Sequence, residues 1–305
     1  MTLHAYINKR ISAERLELIE EANKIIEEYQ LEGYSITLRQ LYYQFVSRNL
    51  LENSKKSYQR LCALMKDARM VGLIDWDAIV DRTRHLETRA RWSSPQSIID
   101  SCADGFHVHL WEGQKNRVEV WIEKDALVSV IEDTCYDLDC PFLACRGYNS
   151  ASEMREAALR IIKASQFGCH YTILYAGDHD PSGSDMSEDI RKRLKQFRAR
   201  FDFHRIALNM EQVEQFKLPP NKIKDSDSRS KKYQQRFGSE CWELDALPPS
   251  ELIRIISESI RSFIDNPRAF DARLDEAEQG RKILRAFADN YTDLADLVKP
   301  TGSPT

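Results

Sequence analysis

The chain has 305 residues, 42% hydrophobic and 30% charged, with a formal net charge of −4. That composition is globular, with length for more than one core, and it excludes a disordered chain or one that coats nucleic acid through bulk charge. No stretch approaches the ~20 consecutive apolar residues of a membrane-spanning helix, the N-terminus has no apolar signal core, and a cytoplasmic location without membrane attachment is expected.

Residues 12–32 read as a helix, with Leu18, Ala22, Ile25 and Tyr29 on one stripe and Gly33 placed to end it. Thr37 and Gln40 have the spacing of a capping box and open a second helix in TLRQLYYQFVSRN. A third helix starts after Ser54. Its apolar stripe of Leu61, Leu64, Met65 and Ala68 leaves Lys55, Gln59 and Lys66 together on another face. The short apolar pieces between Val71 and Trp76 suggest a hairpin or wing. Helix, turn, basic helix and wing is the order of a winged-helix module, whose second helix enters a DNA major groove. Residues 35–70 carry seven basic side chains against Glu52 and Asp67, so Lys55, Gln59 and Lys66 are the candidate DNA contacts; an ordinary solvated helix face is the plainer alternative.

RARWSSPQS at 89–97 reads as a connector, dividing an N-terminal domain at 1–98 from a second at 99–305. Beyond it, strands at 118–123, 141–145 and 171–177 alternate with helices at 124–137 and 151–166, the pattern of a parallel α/β sheet. A helix near 184–199 and a strand near 203–209 extend it, LPPNK at 218–222 breaks it, and helices at 250–265 and 271–289 pack back on the core. The tail VKPTGSPT is expected to be disordered. Seven scattered cysteines without a C-x-x-C pair indicate neither a disulfide framework nor a zinc cage, and His107 and His109 lack the company that zinc needs.

In such sheets ligands bind at the C-terminal ends of the strands. Two apolar runs end there in acids: YTILYAGDHDPSG delivers Asp178 and Asp180, and VEVWIEKDAL delivers Glu123. Three hard oxygen donors at one edge suit Mg²⁺. A helix-capping turn needs only one of the two aspartates. An EF-hand loop fits poorly with the strand-like run before it, whereas a phosphotransferase with Asp178 as nucleophile remains a rival. Lys124 and Arg146 fall at the same edge, where either could meet phosphate or pair with the acids. His179 reads more readily as structural. The basic, flexible stretch KIKDSDSRSKKYQQR at 222–236 is read equally as a DNA-contacting loop or a solvated linker.

IEKDAL at 122–127, CRGYNS at 145–150 and GDHDPSGSDM at 177–186 together resemble the Toprim domain of the topoisomerase VI A subunit and its relatives that make meiotic double-strand breaks. Upstream, Thr37-Leu38-Arg39-Gln40-Leu41-Tyr42-Tyr43 is similar to that family's T-x-R-x-x-Y-Y segment on a winged helix, and WELDALPP at 242–249 resembles its C-terminal region. The fold implied is α/β: an N-terminal helical, winged-helix-like domain followed by a Toprim domain, a Rossmann-like parallel sheet, with C-terminal helices. The resemblance implies that Glu123, Asp178 and Asp180 hold Mg²⁺, with Glu123 also catalytic, and that Tyr43 attacks double-stranded DNA to form a 5′-phosphotyrosyl link. It further implies a homodimer in which each tyrosine works with the partner's metal, with a separate ATPase subunit for any strand passage.

On a helical wheel Leu38, Leu41, Tyr42 and Phe45 share the buried stripe, while Tyr43 projects away beside Arg39. A free phenol has a pKa of ~10 and needs a neighbouring cation or base; Arg39 is the candidate, to lower that pKa or to hold the phosphate. Arg146 is a further candidate DNA contact. Two alternatives stay open: a hydrolytic Toprim nuclease of a mobile element or antiphage system, and a DNA-binding regulator without catalysis.

Overall fold

A computed structural model describes residues 3, 5–31, 33, 36–80, 91–223 and 229–293. In chain order the elements are α1 (Ala13–Leu31), β1 (Ile36–Thr37), α2 (Leu38–Ser47), α3 (Lys55–Met70), β2 (Ile79–Val80), α4 (Pro95–Asp104), β3 (Asn116–Ile122), α5 (Val128–Asp137), β4 (Phe142–Ala144), α6 (Ala151–Gln166) and β5 (His170–Ala176). They continue with α7 (Pro181–Gln196), β6 (Asp202–Ala207), α8 (Met210–Gln215), β7 (Asn221–Lys222), α9 (Ser230–Phe237), β8 (Glu240–Cys241), α10 (Pro249–Arg261) and α11 (Pro267–Asp289). The chain divides into two compact units, one of residues 1–84 with 118–261 and one of residues 85–117 with 262–305.

The first unit is built on a four-stranded parallel sheet in the order β4-β3-β5-β6. Strands inside such a sheet are covered on both faces, which is why residues 118–122 of β3 and 171–176 of β5 are buried without a break. Trp121, Ile122, Ile173 and Tyr175 are wholly buried. Helices α6 and α7 cover one cluster of this core with Met154, Ala157, Ile161, Met186, Ile190 and Leu194. Helix α10 turns Leu252, Ile256 and Ile260 inward and packs on α5 and β6. The parallel α/β sheet expected from the alternation of strands and helices is therefore present.

The N-terminal helices belong to the same unit. Thr37 accepts from the Gln40 N–H, and the Gln40 side chain accepts from the Thr37 N–H at 2.8 Å, closing the capping box of α2. Ser54 caps α3 by accepting from the Ser57 N–H, and Leu61, Leu64, Met65 and Ala68 form its buried stripe. The hairpin expected between Val71 and Trp76 does not form. The Gly72 and Leu73 N–H groups bond back to Arg69 and Ala68 at the end of α3, and Arg69 takes the Trp76 carbonyl at 3.1 Å, so the groups a ladder would use are already engaged. Pairing falls elsewhere: β1 lies parallel to β2, with Ile36 opposite Ile79.

In the second unit α4 packs along α11. Pro95 opens α4 behind a Ser94–Ser97 capping box, so the last three residues of the expected connector are helical; residues 89 and 90 lie outside the described residues. Asn266 caps α11 and exchanges two hydrogen bonds with the Gln114 side chain, at 2.8 and 2.9 Å. The tail at 298–305 also lies outside the described residues. All seven cysteines are free thiols, with Cys135, Cys140, Cys145 and Cys241 buried and Cys102 exposed. Among the described residues no helix is long and apolar enough to cross a membrane.

Candidate metal and tyrosine site

The parallel sheet brings the ends of β3 and β5 side by side, and with them Glu123, Asp178 and Asp180. The Glu123 N–H bonds to the Ala176 carbonyl at 2.9 Å, and Glu123 Oε2 accepts from the Asp178 N–H at 2.9 Å. Asp180 caps α7, its Oδ1 accepting from the Gly183 N–H at 2.6 Å, with Pro181 in the first helical turn. Two glycines make this approach possible. A Cβ on Gly177 would lie 2.6 Å from Glu123 Oε2, and one on Gly183 would lie 3.0 Å from the same oxygen while striking the Asp178 carbonyl. Arg205, reaching in from β6, binds the turn from below. It donates to the carbonyls of Gly177 at 2.9 Å, Leu208 at 3.1 Å and Asp178, and to Ser187 Oγ.

Two further acids arrive from the segment after β8. Glu243 and Asp245 converge with Asp178 on the Lys124 ammonium, at 2.7, 2.6 and 2.8 Å. Asp178 Oδ1 also accepts from the Leu244 N–H at 2.8 Å. Arg39 approaches the same pair from α2, donating to Asp245 at 3.0 Å and to Glu243. Burial raises the pKa of Glu123, which the Asp178 N–H partly offsets and the charge of Asp180 reinforces. Burial likewise raises Asp180, and it pushes Asp178 up to about 7 against the pull of Lys124. Glu243 goes the other way: burial opposes its ionisation, but Lys124 and Arg39 together hold it at about 2. Lys124 divides its charge among three carboxylates, and Asp178 lies beside Glu123, whose charge raises its pKa further, whereas Glu243 also has Arg39.

Five carboxylates thus stand against three cations, Lys124, Arg39 and Arg205, a formal excess of two negative charges. The donor set consists of hard oxygens, and Asp245 Oδ1 is buried without a hydrogen-bond partner. Both properties fit a divalent cation of the Mg²⁺ kind. In the present arrangement the carboxylates gather around Lys124. Among the described residues no group of three or more His, Cys, Asp or Glu side chains forms a ready metal cage.

Tyr43 does not project into solvent as the wheel predicts. It is 5% exposed, because β7 and the segment around Glu243, distant in sequence, lie over that side of α2. Its hydroxyl accepts from Asn221 Nδ2 at 3.5 Å, and its ring faces the Arg39 guanidinium at 5.9 Å. Nor is its phenol activated. Burial and the Glu243 charge raise its pKa, and the smaller opposing effects of Asn221 and Arg39 do not reverse this. Arg39 is committed to Glu243 and Asp245. Tyr42 is core as expected, its hydroxyl accepting from the Ser54 N–H at 2.8 Å. Tyr43, Asp180, Glu243 and Arg39 line a single cleft of about 900 Å³.

Lys55 stands on the rim of that cleft, and Gln59 and Lys66 lie exposed along α3. Arg146 is exposed and pairs with Asp125 at 2.9 Å. His179 is structural: it is buried in an aromatic cluster, its Nδ1 2.5 Å from the Tyr233 hydroxyl, and burial holds its pKa at about 4. The basic segment at 222–236 is not simply a loop, since α9 occupies 230–237; residues 224–228 lie outside the described residues. The sequence reading missed Glu243, Asp245 and Arg205. The E-x-D spacing inside WELDALPP and an arginine within a strand were the available signals.

Compared with known proteins, the chain matches no described family, no curated protein and no solved structure.

Proposed function

We propose that this protein is a Mg²⁺-dependent enzyme that cleaves the phosphodiester backbone of duplex DNA, acting as a Toprim protein of the topoisomerase VI A-subunit type. The observation that carries the reading is the cleft in which Tyr43 and Arg39 of α2 face Asp180 and Glu243 at the C-terminal edge of the sheet. Glu123, Asp178 and Asp180 would hold the ion, which when bound supplies charge stabilisation to phosphate oxygens. The chain's own residues then bind and position. Lys55, Gln59 and Lys66 present a winged-helix-like face to the DNA, and Arg39 meets the scissile phosphate once Glu243 and Asp245 release it. Tyr43 Oη forms the new bond to phosphorus, its proton leaves, and the 3′ oxygen departs protonated. A homodimer pairs two such cuts, and strand passage would call on a separate ATPase subunit.

Hydrolysis without a tyrosine adduct is the second reading, favoured by the burial and raised pKa of Tyr43. Supercoiled plasmid incubated with Mg²⁺ and either wild type, Tyr43→Phe or Asp178→Ala separates the two. Asp178→Ala is expected to reduce cleavage by about 10²- to 10³-fold. Protein-linked DNA that disappears in Tyr43→Phe supports the tyrosine route, and full cleavage by Tyr43→Phe without adducts supports hydrolysis. Wild-type cleavage by Asp178→Ala would remove the metal-dependent reading altogether.

A further inference from the structure

A second cavity, of about 700 Å³, lies on the other side of the Pro181–Ser182 turn, between α7, the start of α8 and α9. Its size is within the ~300–1,000 Å³ of small-ligand sites. Five cationic side chains line it, Arg191, Arg205, Arg229, Lys232 and Arg236, against Asp185, Glu188 and Glu211. Lys232 is paired with Glu188 at 2.7 Å, and Arg205 is spent on the Asp178 turn. Arg191 and Arg236 instead lie over aromatic faces, 4.4 Å from the Phe203 ring and 4.9 Å from the Phe237 ring. Stacking holds a guanidinium in place while its N–H edge can still meet an acceptor. One wall is aromatic, built by His179, Tyr233 and Phe237 with ring centres 4.6–5.5 Å apart.

Cations opposite an aromatic wall suit a ligand with an anionic end and a planar end. Arg229 lines this cavity and the tyrosine cleft alike, and it donates to Tyr148 Oη at 2.8 Å and to Ser182 Oγ at 3.4 Å. The two cavities therefore meet at one turn. From this geometry we infer that the second cavity binds a nucleotide, its phosphate toward Arg191, Arg229 and Arg236 and its base toward the aromatic wall. The source is either a free nucleotide or one nucleotide of a DNA strand whose neighbours occupy the tyrosine cleft; only the strand source rests on the DNA-cleaving reading.

The test is binding to the full chain in EDTA, where no metal-dependent cleavage interferes, followed by fluorescence anisotropy. The probes are a labelled eight-residue oligothymidylate and a labelled adenosine monophosphate. The double variant Arg191→Ala/Arg236→Ala should weaken the bound probe at least about 10-fold and lower the slope of its salt dependence by about 1.4 for the oligonucleotide. Lys55→Ala, on the other cleft, should leave monophosphate binding unchanged. Both arginines are exposed, and an unchanged melting temperature shows that the double variant folds. Binding of the monophosphate assigns a free nucleotide, and binding of the oligonucleotide alone assigns a DNA strand. If neither probe binds wild type, or the double variant binds as wild type does, the inference is overturned. Failure of plasmid cleavage does not touch it, because no arm of the test reads cleavage.

Discussion

Glu119, in the middle of β3, and Glu123, just beyond its end, stand four residues apart, and they are treated in opposite ways. Glu119 is 3% exposed and fully matched: it accepts from Trp121 Nε1 at 2.8 Å, from Arg160 at 2.8 and 3.1 Å, and from the Tyr171 hydroxyl. Glu123 belongs to a group of carboxylates that outnumber their cations, with its own pKa and those of Asp178 and Asp180 raised by burial. A buried acid is therefore no sign of chemistry in itself. Hydrogen bonding settles Glu119 into a structural role, whereas the surplus of charge beyond Glu123 leaves a demand that a cation can meet.

The contrast can be broken first at Glu119. Glu119→Ala leaves Arg160, Tyr171 and Trp121 without their acceptor and should destabilise the protein by about 3–5 kcal/mol in urea unfolding. The proposed Mg²⁺-dependent cleavage, measured per folded molecule, should not change. A loss of cleavage in the folded fraction would mean that the two sites are coupled.

At the other site the expected effect is smaller and runs with pH. The folded pKa of Asp178, pushed up to about 7, lies above that of the unfolded chain. The native state thus keeps a proton that the unfolded state has lost, and this contribution is present in full below about pH 4 and fades as pH rises through about 7. In EDTA, wild-type stability should decline across that window, and Asp178→Asn should flatten the curve. Adding Mg²⁺ at pH 7.5 should raise the melting temperature of wild type, by the equivalent of about 2.7 kcal/mol at a hundredfold excess over Kd, and leave Asp178→Asn unmoved. Equal shifts in both proteins would show that the ion binds elsewhere. Smallest of all, Thr37→Ala removes the cap of the helix that carries Arg39 and Tyr43, and should lower stability by about 1 kcal/mol in thermal unfolding without altering the Mg²⁺ shift.

Much of the fold is legible because its signals are local. Thr37 and Gln40 announce a helix start through their own spacing, and apolar runs alternating with amphipathic helices announce the parallel sheet. The acids at the strand ends are visible for the same reason. Legibility ends where a distant segment intervenes. The wheel places Tyr43 outside the core correctly for an isolated helix, but Asn221 and Glu243 come from far along the chain to cover it. No hairpin forms between Val71 and Trp76 because Gly72 and Leu73 finish α3 instead of starting a strand, a competition for N–H groups that apolar patterning does not register. Glu243 and Asp245 have a visible spacing, but their meeting with Lys124 depends on packing that no local pattern encodes.

The distribution of thiols has a consequence for how this protein meets oxidants and labelling reagents. The thiolate is the reactive form of cysteine, and burial suppresses it: Cys135 and Cys145 are both pushed up to about 12, and Cys140 is raised well above the usual thiol value. These three flank the sheet near β3 and β4 and should resist alkylation while the protein is folded. Cys102 on α4 is the one exposed thiol of the seven. A maleimide dye used at limiting concentration should therefore mark the chain at a single place in the second unit, leaving the acids and Tyr43 untouched, whereas labelling of Cys135 or Cys145 would report that the sheet has opened.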